Sequence, residues 1–180
     1  MAKARERVLY RGHDIIAQKG RSVARLVGGD SSEEGAQKFF EADAIEDGVA
    51  EAKAWVDGKY GERASERREP YIGTVDDYVE AFTSQELAKH EHTMARAHAA
   101  APDRKLTAQQ LADAAGYKSY SSANLHYGKL GQRVAEQAGL SSPKMEAGAW
   151  TYALADYDDE TSEWKMHEEM AEAMERLSLL

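Results

Sequence analysis

The stretch from Leu106 to Gly139 constrains the fold most strongly, because it has the pattern of two helices joined by a short turn. Thr107 begins a capping box at the start of the first helix, and Gly116 predicts where that helix ends. We expect Tyr120 and Tyr127 in the core. The second helix has one apolar stripe at three- and four-residue steps, formed by Ala123, Tyr127, Leu130, Val134 and Ala138. The segment therefore predicts a helix-turn-helix.

Polar side chains at the start of the second helix suit contacts with nucleic acid. Ser121 or Ser122 is predicted to cap this helix, and Gly128 and Gly131 predict close approach of a neighbouring backbone. The face opposite the apolar stripe carries donors and acceptors that can reach base edges and phosphates in a major groove, and we expect Asn124 to read a base. The predicted DNA-contact set is Lys118, Ser119, Ser122, Asn124, His126, Lys129 and Arg133. An ordinary helix pair has the same caps and stripe, so the pattern alone leaves that interpretation open.

Charge is distributed unevenly along the 180 residues, which have a net charge of −9. Residues 103–145 contain six basic and three acidic side chains, whereas residues 146–180 contain two basic and ten acidic ones. Such asymmetry predicts one face for an anion and another kept away from it. A second, phosphate-directed patch is predicted near the N-terminus, formed by Arg5, Arg7, Arg11, Lys19, Arg21 and Arg25.

The remaining patterns predict an α+β fold with two modules. Residues 1–62 form a small N-terminal α+β module, residues 63–70 a linker, and residues 71–180 a winged-helix-like module. The N-terminal module is predicted to contain two strands, over 8–17 and 22–27, or three with a strand over 38–42. It also has predicted turns at 20–21 and 28–35 and a helix over 45–60.

Helices flank the helix-turn-helix and a β-hairpin follows it, in the order typical of a winged helix. We expect Thr74 to cap a helix over 75–82 and Ser84 to cap one over 85–100. The hairpin is predicted from strands over 149–155 and 164–166, and a helix over 166–179 closes the chain. The acidic tip of this wing should be repelled by phosphates, so we do not expect the wing to grip DNA.

Signals for catalysis, cofactors or export are missing from the sequence. There is no cysteine, no phosphate-binding loop and no nucleophile motif, which predicts a non-catalytic protein without a cofactor. His90, His92 and His98, with Glu86 and Glu91, are expected on a solvated helix face, because metal ligands on one helix favour i, i+4 spacing. No apolar run is long enough to span a bilayer and no signal peptide follows the first residues, so we expect a cytoplasmic protein.

Several short segments of the last hundred residues carry a resemblance to a known group of proteins. They are His98–Pro102, Leu106–Ala112, Gly116–Tyr120, Ala123–Leu125, Tyr127-Gly128 with Leu130, and Trp164–Met166 leading to Ala173 and Leu177. From about residue 78 to 177 the chain resembles the helical DNA-recognition region that precedes the nuclease domain in bacterial HNH endonuclease-like restriction proteins. No HNH motif follows in this chain, so the resemblance implies recognition of DNA without cleavage.

Two hypotheses of function follow, and an interaction domain with neither role stays open beside them. The first is a double-stranded DNA-binding protein acting in restriction or phage–host defence, for which a homodimer would widen a short recognition site. The second is an acidic phage-type anti-restriction or anti-CRISPR inhibitor that binds a host defence protein complex. Its partner-binding residues would be Asp156, Asp158, Asp159, Glu160 and Glu163.

Overall fold

The structure, a computed structural model, describes residues 5–25 and 37–180. The chain forms two compact units, one within residues 1–65 and the other within residues 66–180. Both combine helices with antiparallel strands, which confirms the predicted α+β class. The turn predicted over 28–35 and the end of the strand predicted over 22–27 lie outside the described residues.

The first unit contains a four-stranded antiparallel sheet whose strands lie side by side in chain order. They are β1 (Arg5–Tyr10), β2 (His13–Gln18), β3 (Arg21–Arg25) and β4 (Gln37–Phe40). The single strand predicted over 8–17 is wrong, because Arg11 and Gly12 form a two-residue turn between β1 and β2. Both have positive φ, as a tight hairpin of this type requires. The unit therefore has four strands where two or three are predicted.

Helix α1 (Ile45–Glu66) covers one face of this sheet and buries its apolar residues. The shared core consists of Ile15, Ala17, Ala24, Phe40, Val49, Ala52, Val56 and Tyr60. Gly48 lets the helix approach β3 closely, since a Cβ at this position would meet the side chain of Ser22. The helix continues six residues beyond the predicted end at Tyr60.

The segment predicted as a linker, residues 63–70, contains the boundary between the two compact units after residue 65. Helix α1 ends in it at Glu66, and Arg67 is hydrogen-bonded within the second unit. The Nε of Arg67 donates to Asp77 at 2.9 Å, and both side chains are buried. The same guanidinium donates to the backbone carbonyl of Ala138 at 2.6 Å. A charged side chain is buried in this way only when it is paired and hydrogen-bonded, so this segment is part of the fold.

The second unit has six helices and three short strands among its described residues. The helices are α2 (Val75–Thr83), α3 (Lys89–Ala100), α4 (Ala108–Ala114), α5 (Tyr120–Ala138), α6 (Pro143–Glu146) and α7 (Glu168–Arg176). The capping box of Thr74 at the start of α2 is confirmed. The predicted cap of α3 is wrong, because Ser84 ends α2 and the carboxylate of Glu91 accepts from the N–H of Ala88 where α3 begins.

A three-stranded antiparallel sheet joins the strand before the helix-turn-helix to the hairpin that follows it. Its strands are β5 (Lys105–Thr107), β6 (Ala155–Asp158) and β7 (Glu163–Met166), and β7 lies in the middle. A helix, a strand, the helix-turn-helix and a hairpin thus follow one another as in a winged helix. The position of the strand predicted over 149–155 is wrong, because Trp150–Ala153 form a 3₁₀ helix and the strand begins only at Ala155. The strand β5 is absent from our predictions, since three residues are too few for alternation to stand out.

The 3₁₀ helix lies directly against α5, and a glycine permits this contact. A Cβ at Gly131 would meet the backbone carbonyl of Trp150, whereas one at Gly128 would find only the Thr151 hydroxyl at 3.8 Å. The close backbone approach predicted from the two glycines is therefore present at Gly131. A backbone carbonyl held in a helical turn cannot move aside as a flexible side chain can.

We predict that Gly131→Ala destabilises the protein and that Gly128→Ala does not. The first change should lower the free energy of unfolding by about 1–3 kcal/mol, the usual cost of overpacking. The second should leave it unchanged or raise it by up to about 1 kcal/mol, since alanine favours a helix over glycine. Chemical denaturation of both variants measures the difference. Equal effects of the two substitutions would contradict the contact.

Candidate nucleic-acid interface

Local sequence signals form the helix-turn-helix. The capping box of Thr107 at the start of α4 is confirmed, and α4 ends just before Gly116, whose φ is +75°. The helix α5 begins after Ser119, whose side chain accepts a hydrogen bond from the N–H of Ser121. The predicted cap at Ser121 or Ser122 is therefore wrong. Ser119, predicted as a DNA contact, is the residue that starts α5.

The outward edge of α5 is exposed over its first turns. Leu125 is 55% exposed and Tyr120 is 57% exposed, so the expectation that Tyr120 lies in the core is wrong. Asn124 and Lys129 are exposed beside them, and the Asn124 side chain makes no hydrogen bond to any described residue. Lys118 is exposed in the preceding turn. Asn124 borders the hairpin, whereas Lys129 lies about a third of a turn further round the middle of the helix. Ser122 is half-buried.

Arg133 lies on a flank of α5 that packs against the beginning of α3. Its Nη2 donates to Glu91 at 2.7 Å and its Nε donates to Gln85 at 2.6 Å. The Glu91 side chain is only 5% exposed, so the ion pair lies at the edge of the core. Arg133, predicted as a DNA contact, holds α5 to α3.

His126 belongs to a cluster of three rings on the same flank. Its ring stacks on Tyr117 with the centroids 5.3 Å apart, and the ring of His90 lies 4.5 Å from it at a steep angle. His126 is half-buried there. Of the seven side chains in the predicted DNA-contact set, only Lys118, Asn124 and Lys129 are left exposed without a side-chain partner.

A groove of about 520 Å³ lies between the first turn of α5 and the hairpin of β6 and β7. Aromatic side chains dominate its wall, and Asn124 lines its edge. Tyr157 and Trp164 face each other across the two strands with their ring centroids 4.9 Å apart. The aromatic wall is absent from our predictions of the site, although alternation in the hairpin points to paired side chains of this kind.

The acidic residues at the end of the hairpin have two different roles. Asp158 accepts hydrogen bonds from the backbone N–H groups of Thr161 and Glu160, and these bonds hold the pKa of its carboxyl below the ordinary value. Asp159 and Glu160 are exposed at the tip. Two further members of the predicted partner-binding set lie behind this tip: Asp156 accepts from the hydroxyl of Tyr71 at 3.0 Å, and Glu163 is half-buried.

Not all arginines of the N-terminal patch lie on one surface. Arg7 donates twice to Asp14 at 2.8 Å, across β1 and β2. Arg11 lies in the turn after β1 and donates to Asp57 of α1 at 2.8 Å, so it belongs to the helix-covered side of the sheet. Arg21 lies over the ring of an exposed phenylalanine on the outer face of the sheet.

One buried histidine connects the elements that hold α5 in place. The Nε2 of His98 lies 2.8 Å from the carbonyl oxygen of Trp164, and its Nδ1 lies 2.9 Å from the hydroxyl of Tyr127. Since a carbonyl only accepts, Nε2 carries the hydrogen and Nδ1 accepts from Tyr127. The side chain is 0% exposed, and burial lowers its pKa to about 4.

The solvated helix face predicted for the histidine-rich segment is wrong in part, because His98 and Glu91 are both buried. Among residues 5–25 and 37–180, no three histidine, aspartate or glutamate side chains are grouped so that they could hold a metal ion. Nor does any helix in these ranges combine the length and apolar character needed to cross a membrane.

Comparison of the chain with protein-family profiles, with characterised proteins and with solved structures finds no match. The resemblance to the recognition region of HNH endonuclease-like proteins therefore stays a prediction.

The buried His98 predicts a loss of stability in mild acid. In the unfolded chain this imidazole takes up a proton below pH 6.5, whereas in the folded protein it does so only near pH 4. The unfolded state therefore binds more protons in this window, and stability falls by roughly 3 kcal/mol as the pH drops through it. Burial also lowers the pKa of His167, so that histidine adds to the loss.

Urea denaturation of the wild type and of His98→Gln between pH 7 and pH 4 tests this prediction. The variant should be less stable at pH 7 and should lose less stability with falling pH. The control His92→Gln, on the same helix, should follow the wild type. Parallel curves for the wild type and His98→Gln would contradict the argument.

Proposed function

We propose that the second unit binds double-stranded DNA, with the beginning of α5 in the major groove. The observation that carries this proposal is the exposed start of α5. It presents an amide, Asn124, that has no hydrogen-bond partner among the described residues, and in the sequence it lies between two exposed lysines, Lys118 and Lys129. An amide can donate to and accept from the edge of a base pair, and lysines contact phosphates on either side.

The connectivity around α5 supports the same proposal. The turn before α5 and the hairpin after it leave the outward edge of the helix uncovered, and a helix of this kind fits the width of the major groove. Tyr120 and Leu125 add apolar surface, which suits contact with thymine methyl groups. In this proposal Ser119, His126 and Arg133 position α5 and do not touch DNA.

The acidic tip of the hairpin limits how DNA can lie on the unit. Asp159 and Glu160 are exposed, and carboxylates close to phosphates are repelled. We therefore expect the duplex to contact α5 and to stay away from the tip. A role of this kind belongs to a compartment that contains DNA, which we take to be the cytoplasm.

We predict that Asn124→Ala and Lys129→Ala weaken DNA binding in different ways. Selection from a randomised duplex pool at two salt concentrations first identifies the preferred site. Asn124→Ala should then cost about 1–3 kcal/mol on that site and little on random duplex. Lys129→Ala should weaken binding to all sequences and reduce the salt slope by about one.

The control for both variants is Arg176→Ala, which removes an exposed cation from α7 instead of α5. It should leave binding unchanged. Equal losses by Asn124→Ala on both duplexes would refute base reading, and no retention of any duplex at low salt would refute DNA binding.

The acidic tip also favours a second candidate function, the inhibitor that binds a basic surface of a host defence complex. The variant Asp159→Asn with Glu160→Gln separates the two proposals. If α5 binds DNA, removing two repulsive charges should leave duplex binding unchanged or strengthen it. If the tip is the binding surface, the variant should lose binding to a basic protein partner, and the wild type should retain no duplex.

A further inference from the structure

The four-stranded sheet of the first unit has one face that α1 does not cover. Residues alternate between the two faces along each strand, so the register places every second side chain outward. The covered face carries the core residues, such as Ile15, Ala24 and Phe40. The outward side chains, from β1 to β4, are Arg5, Arg7, Leu9, Asp14, Ile16, Gln18, Arg21, Val23, Arg25, Gln37 and Phe39.

An apolar row crosses this outer face from strand to strand. Ile16 lies opposite Val23, and Val23 lies opposite Phe39. Phe39 is 50% exposed, and Leu9 on β1 is 72% exposed. Arg7 on β1 lies opposite Ile16. Adjacent strands are about 4.8 Å apart, so the line from Arg7 to Phe39 crosses four strands and extends over roughly 14 Å. Exposed apolar side chains grouped in this way mark a surface that meets a partner.

The charges around the row are almost all positive. Arg5, Arg21 and Arg25 are exposed. Among the described residues of the four strands, Asp14 carries the one carboxylate that points to this face, and Arg7 holds it through two hydrogen bonds of 2.8 Å. The four arginines on these strands therefore outnumber the carboxylate by three. A surface of this composition is complementary to a polyanion.

A guanidinium and an aromatic ring lie together at one end of the row. The guanidinium carbon of Arg21 is 4.2 Å from the centroid of the Phe39 ring. Aromatic rings and guanidinium planes are both surfaces on which an unpaired base can stack. A nucleic-acid strand can place its phosphates on the charges and stack its bases on both flat surfaces.

We infer that this outer sheet face binds single-stranded nucleic acid. The phosphates lie against Arg5, Arg21 and Arg25, and bases stack on Phe39 and on the apolar row. A duplex keeps its bases stacked inside, so it would leave Phe39 and the row unused. The inference is independent of the proposed function, which assigns duplex binding to α5 in the other unit.

The test uses the full chain and a fluorescent oligothymidylate about 20 nucleotides long, with a duplex of the same length as competitor. Anisotropy titrations at several salt concentrations should show binding with a log–log salt slope near −2, since three phosphate contacts on a single strand contribute about −0.7 each. The triple variant with Arg5→Gln, Arg21→Gln and Arg25→Gln should lose this binding and its salt dependence. The control Lys59→Gln, which removes a half-buried cation from α1, should bind like the wild type.

The variant Phe39→Leu tests stacking separately from charge. Leucine keeps the position apolar, so thermal melting should show a folded protein, while affinity for the oligothymidylate should fall about 5- to 100-fold. The same variant should not affect duplex binding. Unchanged affinity of a folded Phe39→Leu protein would overturn the stacking surface.

The outcomes also separate this inference from the proposed function. Lys129→Ala should weaken duplex binding and leave oligothymidylate binding intact, whereas the arginine triple variant should do the reverse. Absence of oligothymidylate binding at low salt, or binding that survives the triple variant, would overturn the inference whatever the duplex result. Tighter binding of an acidic polypeptide than of oligothymidylate, lost in the arginine triple variant and unchanged in Phe39→Leu, would assign the face to a protein partner and would also overturn the inference.

Discussion

The second unit depends on the hydrogen bonds of one neutral imidazole. His98 donates to the carbonyl of Trp164 in β7 and accepts from Tyr127 of α5, while it belongs itself to α3. Three elements that are separate in the chain are thereby fixed against one another. A buried polar group without its partner costs about 1–3 kcal/mol, so departures from this arrangement are unfavourable. The position of α5 beside the hairpin follows from this contact together with the apolar core.

Packing divides the polar side chains of α5 into two sets. Arg133 donates a hydrogen bond to the buried carboxylate of Glu91, and His126 stacks on the ring of Tyr117. These residues face α3 and stabilise the unit. Asn124 faces the groove beside the hairpin and finds no partner there. The side chains of α5 that remain available to a ligand are therefore few, and they carry little charge.

The two proposed binding surfaces differ because their scaffolds differ. A helix edge presents side chains in a narrow row, which suits the edges of paired bases in a groove. An open sheet presents side chains over a broad surface, which suits phosphates and unstacked bases together. The arginines of the first unit also show how position decides availability: Arg11 is tied to Asp57 of α1, whereas Arg25 lies on the outer face and is exposed.

Structural features that depend only on neighbouring residues in the chain follow from the sequence alone. The capping box of Thr107, the helix stop at Gly116 and the apolar stripe of α5 need no distant partner, so all three were predictable. Contacts between distant residues were decided by the tertiary structure. The pairing of β5 with β7, the burial of His98 and the ion pair of Arg133 each depend on which side chain or strand arrives from elsewhere in the chain. A local pattern shows that a side chain is polar, but only the fold decides whether its partner is protein or solvent.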